Sequence, residues 1–163
     1  MTTLIIVPCG SRKVWDVDSG RGPTPARDVY IGVPFKINRQ YAERFADRWV
    51  ILSAKYGFIP PDFLILANYD TTFNRKSTKP VEPSLLGDQA QAQSLHEFDL
   101  IIGLGGASYA SIVRGVFGDN RTVFPFVGLT MGRALQATKA AITAGQPLMV
   151  GGWKGRTKFT GSG

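Results

Sequence analysis

The sequence predicts a three-layer α/β/α sandwich built around a central, mainly parallel sheet of about four strands. Four short apolar runs, each ending in a polar or glycine-rich loop, support this prediction, as do the helix-patterned segments between them. The runs are Leu4–Pro8, Trp49–Ser53, Asp99–Ile102 and Thr122–Val127. Continuous apolar runs of this length are typical of strands buried on both faces, which pair in parallel. Right-handed crossovers through the intervening helices then cover both faces of the sheet.

Four segments carry the apolar periodicity of helices that pack on one side. The first is an apolar stripe from Phe35 to Ala46, after a stretch from Pro8 to Pro34 that glycines and prolines make mostly irregular. In the second, Ser84 is expected to cap a helix that runs to about His96. The last two are 107–117 and 130–143, and their expected buried residues are Ile112, Val113, Val116, Phe117, Met131, Ala134, Leu135, Ala141 and Ile142.

The length of 163 residues fits one domain. We interpret residues 1–150 as a single α/β domain and residues 151–163 as a basic C-terminal tail. No apolar stretch approaches the roughly 20 residues of a membrane span, and the first residues lack a secretory signal pattern, so we expect a cytoplasmic protein with no membrane partner. One cysteine and one histidine exclude an internal disulfide and a Cys/His zinc site. We predict no metal and no cofactor, and the oligomeric state stays open.

The charge balance is compatible with a partner that carries phosphates. Nineteen Lys and Arg residues against twelve Asp and Glu residues give a formal net charge of +7. Such an excess attracts nucleic acid in a salt-dependent way, although a soluble protein with a basic surface shows the same balance. The cations gather after the first strand, after the second strand and in the tail. They are Arg12, Lys13, Arg21, Arg27, Lys55, Arg75, Lys76, Lys79, Lys154, Arg156 and Lys158. In the tail, Trp153 and Phe159 lie among the cations, where they could stack on bases.

The loop after the first strand has the composition of an anion site. It reads Cys9, Gly10, Ser11, Arg12 and Lys13. Gly10 permits a tight turn, backbone amides and Ser11 can face a phosphate, and the two cations can neutralise it. The alternative is a simple strand-to-loop turn. The spacing of a nucleoside-triphosphate P-loop is absent. Cys9 is either a nucleophile in a positive loop or a small buried side chain.

The loop after the second strand offers Ser53, Lys55 and Tyr56. Lys55 can reach a phosphate, and Tyr56 can stack on a base or donate its hydroxyl. In the structural alternative Tyr56 packs in the core and Lys55 is solvated.

The third and fourth loops precede predicted helices, whose N-terminal amides attract anions. Gly105, Gly106 and Ser108 lie in the third loop and Arg133 begins the helix after the fourth. The glycines match only part of a dinucleotide-binding fingerprint, because Ser108 stands where a further glycine is required. In a parallel sheet all four loops leave at the carboxyl edge, where ligands bind at the switch in strand order. We therefore interpret them as one site.

Asp70 is the carboxylate predicted to do acid–base or electrostatic work. It follows the second strand in a loop rich in hydroxyl groups, and there it could orient a water or stabilise a cationic sugar. Asp28 is the second candidate, and for both residues the alternative is an Asx turn or a helix cap. His96, late in an amphipathic segment, is interpreted as structural.

Several of these motifs together resemble a known family. The segments 7–13 (VPCGSRK), 25–30 (PARDVY), 51–58 (ILSAKYGF), 69–70 (YD) and 128–136 (GLTMGRALQ) resemble a short, largely uncharacterised prokaryotic family. That family is distantly similar to the YaaA-like peroxide-stress proteins, through the Leu-Ser-x-x-Tyr-Gly segment, and the similarity implies DNA binding. The expected architecture also resembles the uracil-DNA-glycosylase type. The Gly-Gln-Asp-Pro-Tyr motif of those enzymes is absent, so a glycosylase of this sequence would use other activating residues.

The leading hypothesis is a DNA-binding hydrolase of the DNA-glycosylase kind that removes a modified or damaged base, in repair or in defence against phage. Asp70, Lys55 and Tyr56 would form its catalytic group, and the flipped nucleotide would enter between Tyr56 and the first loop. The phosphate-binding group would be Cys9, Gly10, Ser11, Arg12, Lys13, Ser53, Gly105, Gly106, Ser108 and Arg133. Two alternatives stay open: a non-catalytic DNA-binding or protective protein, and an enzyme that acts on free nucleotides or nucleosides.

Overall fold

The computed structural model describes residues 1–148, so the tail predicted at 151–163 lies outside the described residues. The strands are β1 (Thr3–Pro8), β2 (Thr24–Pro25), β3 (Arg48–Ser53), β4 (Gly57–Ile59), β5 (Leu64–Ile65), β6 (Leu100–Gly103) and β7 (Thr122–Val123). The α-helices are α1 (Ala26–Val29), α2 (Val33–Phe45), α3 (Pro83–Ala92), α4 (Ala107–Phe117) and α5 (Met131–Ala144). Short 3-10 helices lie at Val14–Asp16, Lys76–Thr78 and Leu95–Glu97.

The central sheet has the strand order β4-β3-β1-β6-β7. The strands β3, β1, β6 and β7 are parallel, which confirms the mainly parallel sheet. Ile5 of β1 pairs with Trp49 on one side and with Ile102 on the other, so β1 is the middle strand. A fifth strand, β4, turns back after β3 and pairs with it antiparallel at the edge.

Helices cover both faces of this sheet, as the sandwich prediction requires. Along β1 the side chains alternate between two cores: Ile5 and Val7 belong to one, and Leu4 and Ile6 to the other. The first core contains apolar residues of α2 and α5, which pack against each other. The second contains residues of α3 and α4, which also pack against each other. The chain therefore forms an α/β/α sandwich with a five-stranded sheet.

Two helix expectations need correction. Helix α3 begins at Pro83 with Glu82 at its N-cap, so Ser84 lies inside the first turn and caps nothing. Proline suits this first position because it lacks the amide hydrogen that would stay unpaired there. The helix ends at Ala92, because Ser94 adopts a left-handed conformation with φ of 57°, and a separate 3-10 turn contains His96.

The fourth strand and the helix after it also differ from expectation. Strand β7 contains only Thr122 and Val123, since Pro125 offers no backbone donor for a longer ladder. Met131 was expected in the core but is 70% exposed, because it is the first residue of α5. Among residues 1–148, none of the helices combines the length and the apolar character needed to cross a bilayer.

Candidate functional site

The loops after β1, β3 and β6 meet at the carboxyl edge of the sheet. The Cys9 amide donates to the Leu52 carbonyl at 3.1 Å, and the Leu104 amide donates to the Ile6 carbonyl at 3.0 Å. Gly105 approaches Pro8 so closely that a Cβ atom added to it would lie 2.6 Å from Pro8 Cγ. These contacts hold the first and third loops against each other beside the end of β3.

A polar cavity of about 760 Å³ opens at this edge. Its volume is within the range of about 300–1,000 Å³ that small-molecule sites occupy. Its walls come from the first loop, from the segment 68–75 and from the start of α4. They are formed by Cys9, Gly10, Ser11, Lys13, Asp16, Ala54, Asn68, Tyr69, Asp70, Thr71, Thr72, Asn74, Arg75 and Tyr109. We call this space the polar cavity.

Lys13 is the buried cation of the polar cavity, with only 5% of its surface exposed. Its Nζ donates to the Ser11 carbonyl at 3.1 Å and lies 4.3 Å from the centroid of the Tyr69 ring. Its backbone amide donates to Asp16 Oδ2 at 2.7 Å, which fixes the turn. Burial lowers the pKa of the Lys13 ammonium, and the nearby Cys9, Asp16 and Asp70 partly offset this effect. Lys13 is thus a desolvated amine in the cavity wall.

Tyr69 is held by a chain of hydroxyl groups that begins under the second loop. The Ser53 Oγ accepts from the backbone amides of Lys55 and Tyr56, each at 3.2 Å, so its own proton is free to donate to the Tyr69 hydroxyl at 3.0 Å. The Tyr69 hydroxyl is also hydrogen-bonded to the hydroxyl of Tyr30. The ring of Tyr56 packs edge-on against Tyr69 at 5.5 Å between centroids. These contacts fix the ring of Tyr69 beneath the Lys13 ammonium.

The phenols around the cavity predict a loss of stability in alkali. Burial raises the pKa of Tyr30, Tyr69 and Tyr109 above the ordinary value of 10.0. In the unfolded chain these phenols ionise near their ordinary pKa, whereas the folded protein keeps them protonated. Their contribution to stability is therefore complete below about pH 10 and is lost as the pH rises above it. We expect urea unfolding to show a lower free energy of unfolding at pH 11 than at pH 9, and equal values would contradict the buried phenols.

Cys9 lies at the end of β1 and is partly buried. Its Sγ is 3.7 Å from the hydroxyl of Tyr109, which comes from the first turn of α4. The Tyr109 hydroxyl also lies 3.5 Å from the Cys9 carbonyl, and the Tyr109 ring packs edge-on against Phe73. Tyr109 thereby joins the first loop, the segment 68–75 and α4 at one wall of the polar cavity.

Asp70 lies at the open side of the polar cavity and its side chain is exposed. Within residues 1–148, the carboxylates in ion pairs are Asp28, Glu43 and Asp119, so Asp70 is not among them. Arg75 is a further exposed residue of this wall. The Asp70 carboxylate is therefore available to a bound molecule.

A second cavity of about 450 Å³ adjoins the first, and we call it the apolar cavity. It shares Cys9, Gly10, Ser11, Asn74 and Tyr109 with the polar cavity. Its other walls come from α2, from the third loop and from the segment around the start of α5. They are formed by Pro8, Arg12, Gly32, Pro34, Phe35, Asn38, Gly105, Gly106, Phe126, Leu129, Met131, Ala134 and Leu135.

Asn38 is an unusual residue in the wall of the apolar cavity. Its Oδ1 is buried and has no hydrogen-bond partner among residues 1–148. A buried polar atom without a partner costs about 1–3 kcal/mol. Leucine has a similar shape and favours helices more. We expect Asn38→Leu to raise the free energy of unfolding by about 1–2 kcal/mol in urea titration, since it removes this penalty. A loss of stability would show instead that the carboxamide has a partner in solution.

The structure brings together most of the residues singled out from the sequence, but not all. Cys9, Gly10, Ser11, Lys13 and Asp70 line the polar cavity, and Cys9, Gly10, Ser11, Arg12, Gly105 and Gly106 line the apolar cavity. Lys55 is exposed, with its Nζ 5.6 Å from the Tyr69 ring centroid. Lys55 lines neither cavity, and four further candidates also line neither: Ser53, Tyr56, Ser108 and Arg133.

Those four have other surroundings. Ser53 is fully buried and its hydroxyl is committed to the turn and to Tyr69. Tyr56 packs against Phe63 and Tyr69, so Tyr69 takes the place at the cavity wall that the sequence suggested for Tyr56. Ser108 and Arg133 are exposed on α4 and α5.

The remaining two candidates lie away from both cavities. The second carboxylate candidate, Asp28, pairs with Arg27 and Arg39. The ring of His96 packs against Phe117 at 5.1 Å between centroids.

Sequence reasoning missed the aromatic and polar groups that complete the polar cavity. Tyr69 stands directly before Asp70, and that adjacency was a signal for it. Tyr30 and Tyr109 come from distant segments; Tyr30 ends the segment 25–30 and Tyr109 follows the third loop, but neither was assigned to the site from the sequence. Asp16, Asn68 and Asn74 are further polar residues of the wall.

Comparison with known proteins gives a family. Residues 4–140 match a family described as "Family of unknown function (DUF6884)". The chain is also 35% identical to the "Uncharacterized protein YfjM" of Bacillus subtilis (strain 168). The alignment spans 144 residues, which are 87% of this chain and 96% of that protein. No solved structure matches the chain significantly. Both cavities are built from residues within the matched range, and the chain belongs to the DUF6884 family.

Proposed function

We propose that this protein binds DNA and hydrolyses the N-glycosidic bond of a modified or damaged base that is flipped into the polar cavity. One observation carries the proposal. A cavity of nucleoside size, at the ligand-binding edge of a parallel sheet, has the aromatic ring of Tyr69, the carboxylate of Asp70 and a buried amine in its walls. An aromatic ring can stack on a base, and a carboxylate can stabilise the positive charge that develops on the sugar.

The cations around the cavity support a polymeric partner. Three exposed cations lie at the two cavities or beside Tyr69, namely Arg12, Lys55 and Arg75. None of the three forms an ion pair within residues 1–148. Unpaired cations at the mouth of a site are suited to the phosphates that flank an extruded nucleotide. The amides at the start of α4, next to Gly106, can add to this anion site.

The salt dependence of binding tests this role of the cations. Each neutralised phosphate contributes about −0.9 to the slope of log K against log salt for duplex DNA. We expect Arg75→Gln to weaken binding of any duplex and to reduce that slope by about 0.9. Fluorescence anisotropy at several salt concentrations measures both values. Lys139→Gln, an equal charge change on the exposed face of α5, is the matched control and should preserve the slope better than Arg75→Gln.

The resemblances noted from the sequence support the same reading. The similarity to YaaA-like peroxide-stress proteins favours DNA as the partner, and the similarity to the uracil-DNA-glycosylase architecture favours base excision. Fold likeness alone does not establish an activity, so the proposal depends on the cavity.

The activity is tested by incubating the protein with duplexes that each carry one modified base, and with glucosylated or methylated phage DNA. Alkaline cleavage then reveals abasic sites. We expect abasic sites in at least one substrate. Binding that is strong and salt-dependent, with no abasic site in any substrate, would overturn the hydrolase and leave a non-catalytic DNA-binding protein. Hydrolysis of free nucleosides without hydrolysis of oligonucleotides would show that the site acts on small substrates and not on DNA.

A further inference from the structure

We infer that Lys13 is the nucleophile of the polar cavity, and that its amine attacks the sugar carbon C1′ and forms an imine with the sugar. This inference rests on the proposed function, because it names the group that displaces the base. It is carried by the position of Lys13: a primary amine that lines the cavity, is nearly excluded from solvent and is surrounded by a fixed aromatic ring and carboxylates.

The burial of Lys13 distinguishes it from a phosphate-binding lysine. A lysine that binds the phosphodiester backbone acts as an exposed, hydrated point charge, and Arg12, Lys55 and Arg75 already supply such charges at the site. Lys13 is 5% exposed, and the Ser11 carbonyl is the acceptor for its Nζ within residues 1–148. The contact with the Tyr69 ring positions the Lys13 Nζ. Once the ammonium loses a proton, this contact leaves the lone pair of the nitrogen free to attack.

The surroundings favour the neutral amine that a nucleophile needs. Burial lowers the pKa of Lys13 from the ordinary 10.5 and raises the fraction of amine at neutral pH. The charged or titratable groups that face it are Cys9, Asp16, Asp70 and the Tyr69 phenol. The Asp70 carboxylate is also able to stabilise the positive charge on the sugar as the bond to the base breaks.

The step balances without a further reagent. The Nζ lone pair forms a bond to C1′, the glycosidic C1′–N bond breaks, and its electron pair leaves with the base, which takes a proton from water. The sugar ring then opens, O4′ takes a proton that Nζ loses, and C1′ and Nζ form a protonated imine. Water hydrolyses the imine, which releases the sugar as an aldehyde and restores Lys13.

An abasic site offers a probe that needs no knowledge of the base, since its aldehyde reacts directly with an amine to form the same imine. The full-length protein is incubated with a duplex that carries one abasic site, in the presence of sodium cyanoborohydride, and the reduced adduct is resolved on a denaturing gel. Peptide mass spectrometry then locates the modified amine. We expect the adduct on Lys13.

Two substitutions distinguish a requirement for the Lys13 amine from a requirement for its positive charge or its packing. Lys13→Arg keeps the charge but cannot form an imine, and Lys13→Met keeps the apolar stem. We expect both to abolish the adduct at residue 13, because neither side chain carries an amine that can form an imine. Lys139→Met, on the exposed face of α5, should leave the yield unchanged. Binding to a duplex with a tetrahydrofuran abasic analogue checks that each variant is folded.

The outcomes separate this inference from the proposed function. An adduct on another amine, with a yield that Lys13→Arg leaves unchanged, overturns the inference. Release of a base from a modified duplex without any trapped adduct also overturns it, because water is then the nucleophile, and the hydrolase proposal stands. An adduct on Lys13 without release of any base supports the amine chemistry and contradicts the glycosylase.

Discussion

Asp70→Asn is expected to lower the rate of base release by about 10²- to 10⁴-fold, the range that a positioned carboxylate contributes to acid–base or electrostatic catalysis. The reason is local. Asp70 supplies an exposed carboxylate on the open side of the polar cavity, and its negative charge faces the same space as the Lys13 amine. The amide of asparagine is similar in size but carries no charge, so it cannot stabilise a cationic sugar.

The same substitution should leave folding almost unchanged. Asp70 is in none of the ion pairs within residues 1–148, and an exposed side chain of this kind contributes within about 0.5 kcal/mol. Single-turnover assays on the best modified duplex measure the rate, and thermal unfolding measures stability. Asp88→Asn, on the exposed side of α3, is the control with an equal charge change and should retain full activity. A rate within threefold of the parent protein for Asp70→Asn would remove Asp70 from the mechanism.

Gly105→Ala is expected to lower the free energy of unfolding by about 2–5 kcal/mol, from backbone strain and overpacking together. Gly105 has φ of +107°, a conformation that L side chains rarely adopt. A Cβ there would also lie 2.6 Å from Pro8 Cγ, and Pro8 is fixed at the end of the central strand. The first loop, which lines both cavities, and the third loop, which lines the apolar cavity, would have to separate, so DNA binding should weaken as well.

Gly106→Ala is the matched control for this change. Gly106 has φ of −85°, and a Cβ added to it meets no heavy atom within 4 Å. Its substitution should change stability by less than about 1 kcal/mol, mainly through the N-cap preference of α4. Urea unfolding of both variants measures the difference. Equal stabilities for the two would show that the third loop does not pack against β1 as described.

The layers of this fold were predictable because they follow from hydrophobic patterning. Apolar runs such as 4–8 and 99–102 are typical of strands buried on both faces, and helix α4 was predicted with its bounds at Ala107 and Phe117. Strand β4 was not predicted, since three residues after a tight turn carry too little pattern. Gly57, with φ of +76°, makes that turn possible.

The meeting of these loops at one edge of the sheet was predictable, and the contacts that line the cavities were not. Parallel strands end at one edge, and this rule placed the loops of Lys13, Lys55 and Gly105 together. The hydroxyl chain from Ser53 through Tyr69 to Tyr30 depends on contacts between segments up to 39 residues apart. The burial of Lys13 likewise arises from tertiary packing, so the sequence suggested a solvated phosphate ligand where the structure has a desolvated amine.

The central claim is that the polar cavity receives a nucleotide of DNA. The most direct measurement is an amide NMR titration of the ¹⁵N-labelled protein with a duplex that carries a tetrahydrofuran abasic analogue. The account predicts the largest shift changes in residues 9–13, 68–75 and 105–109, which contribute to the walls of the two cavities, with little change in α3, which contributes to neither. Shift changes centred on α3, or none at saturating duplex, would contradict it.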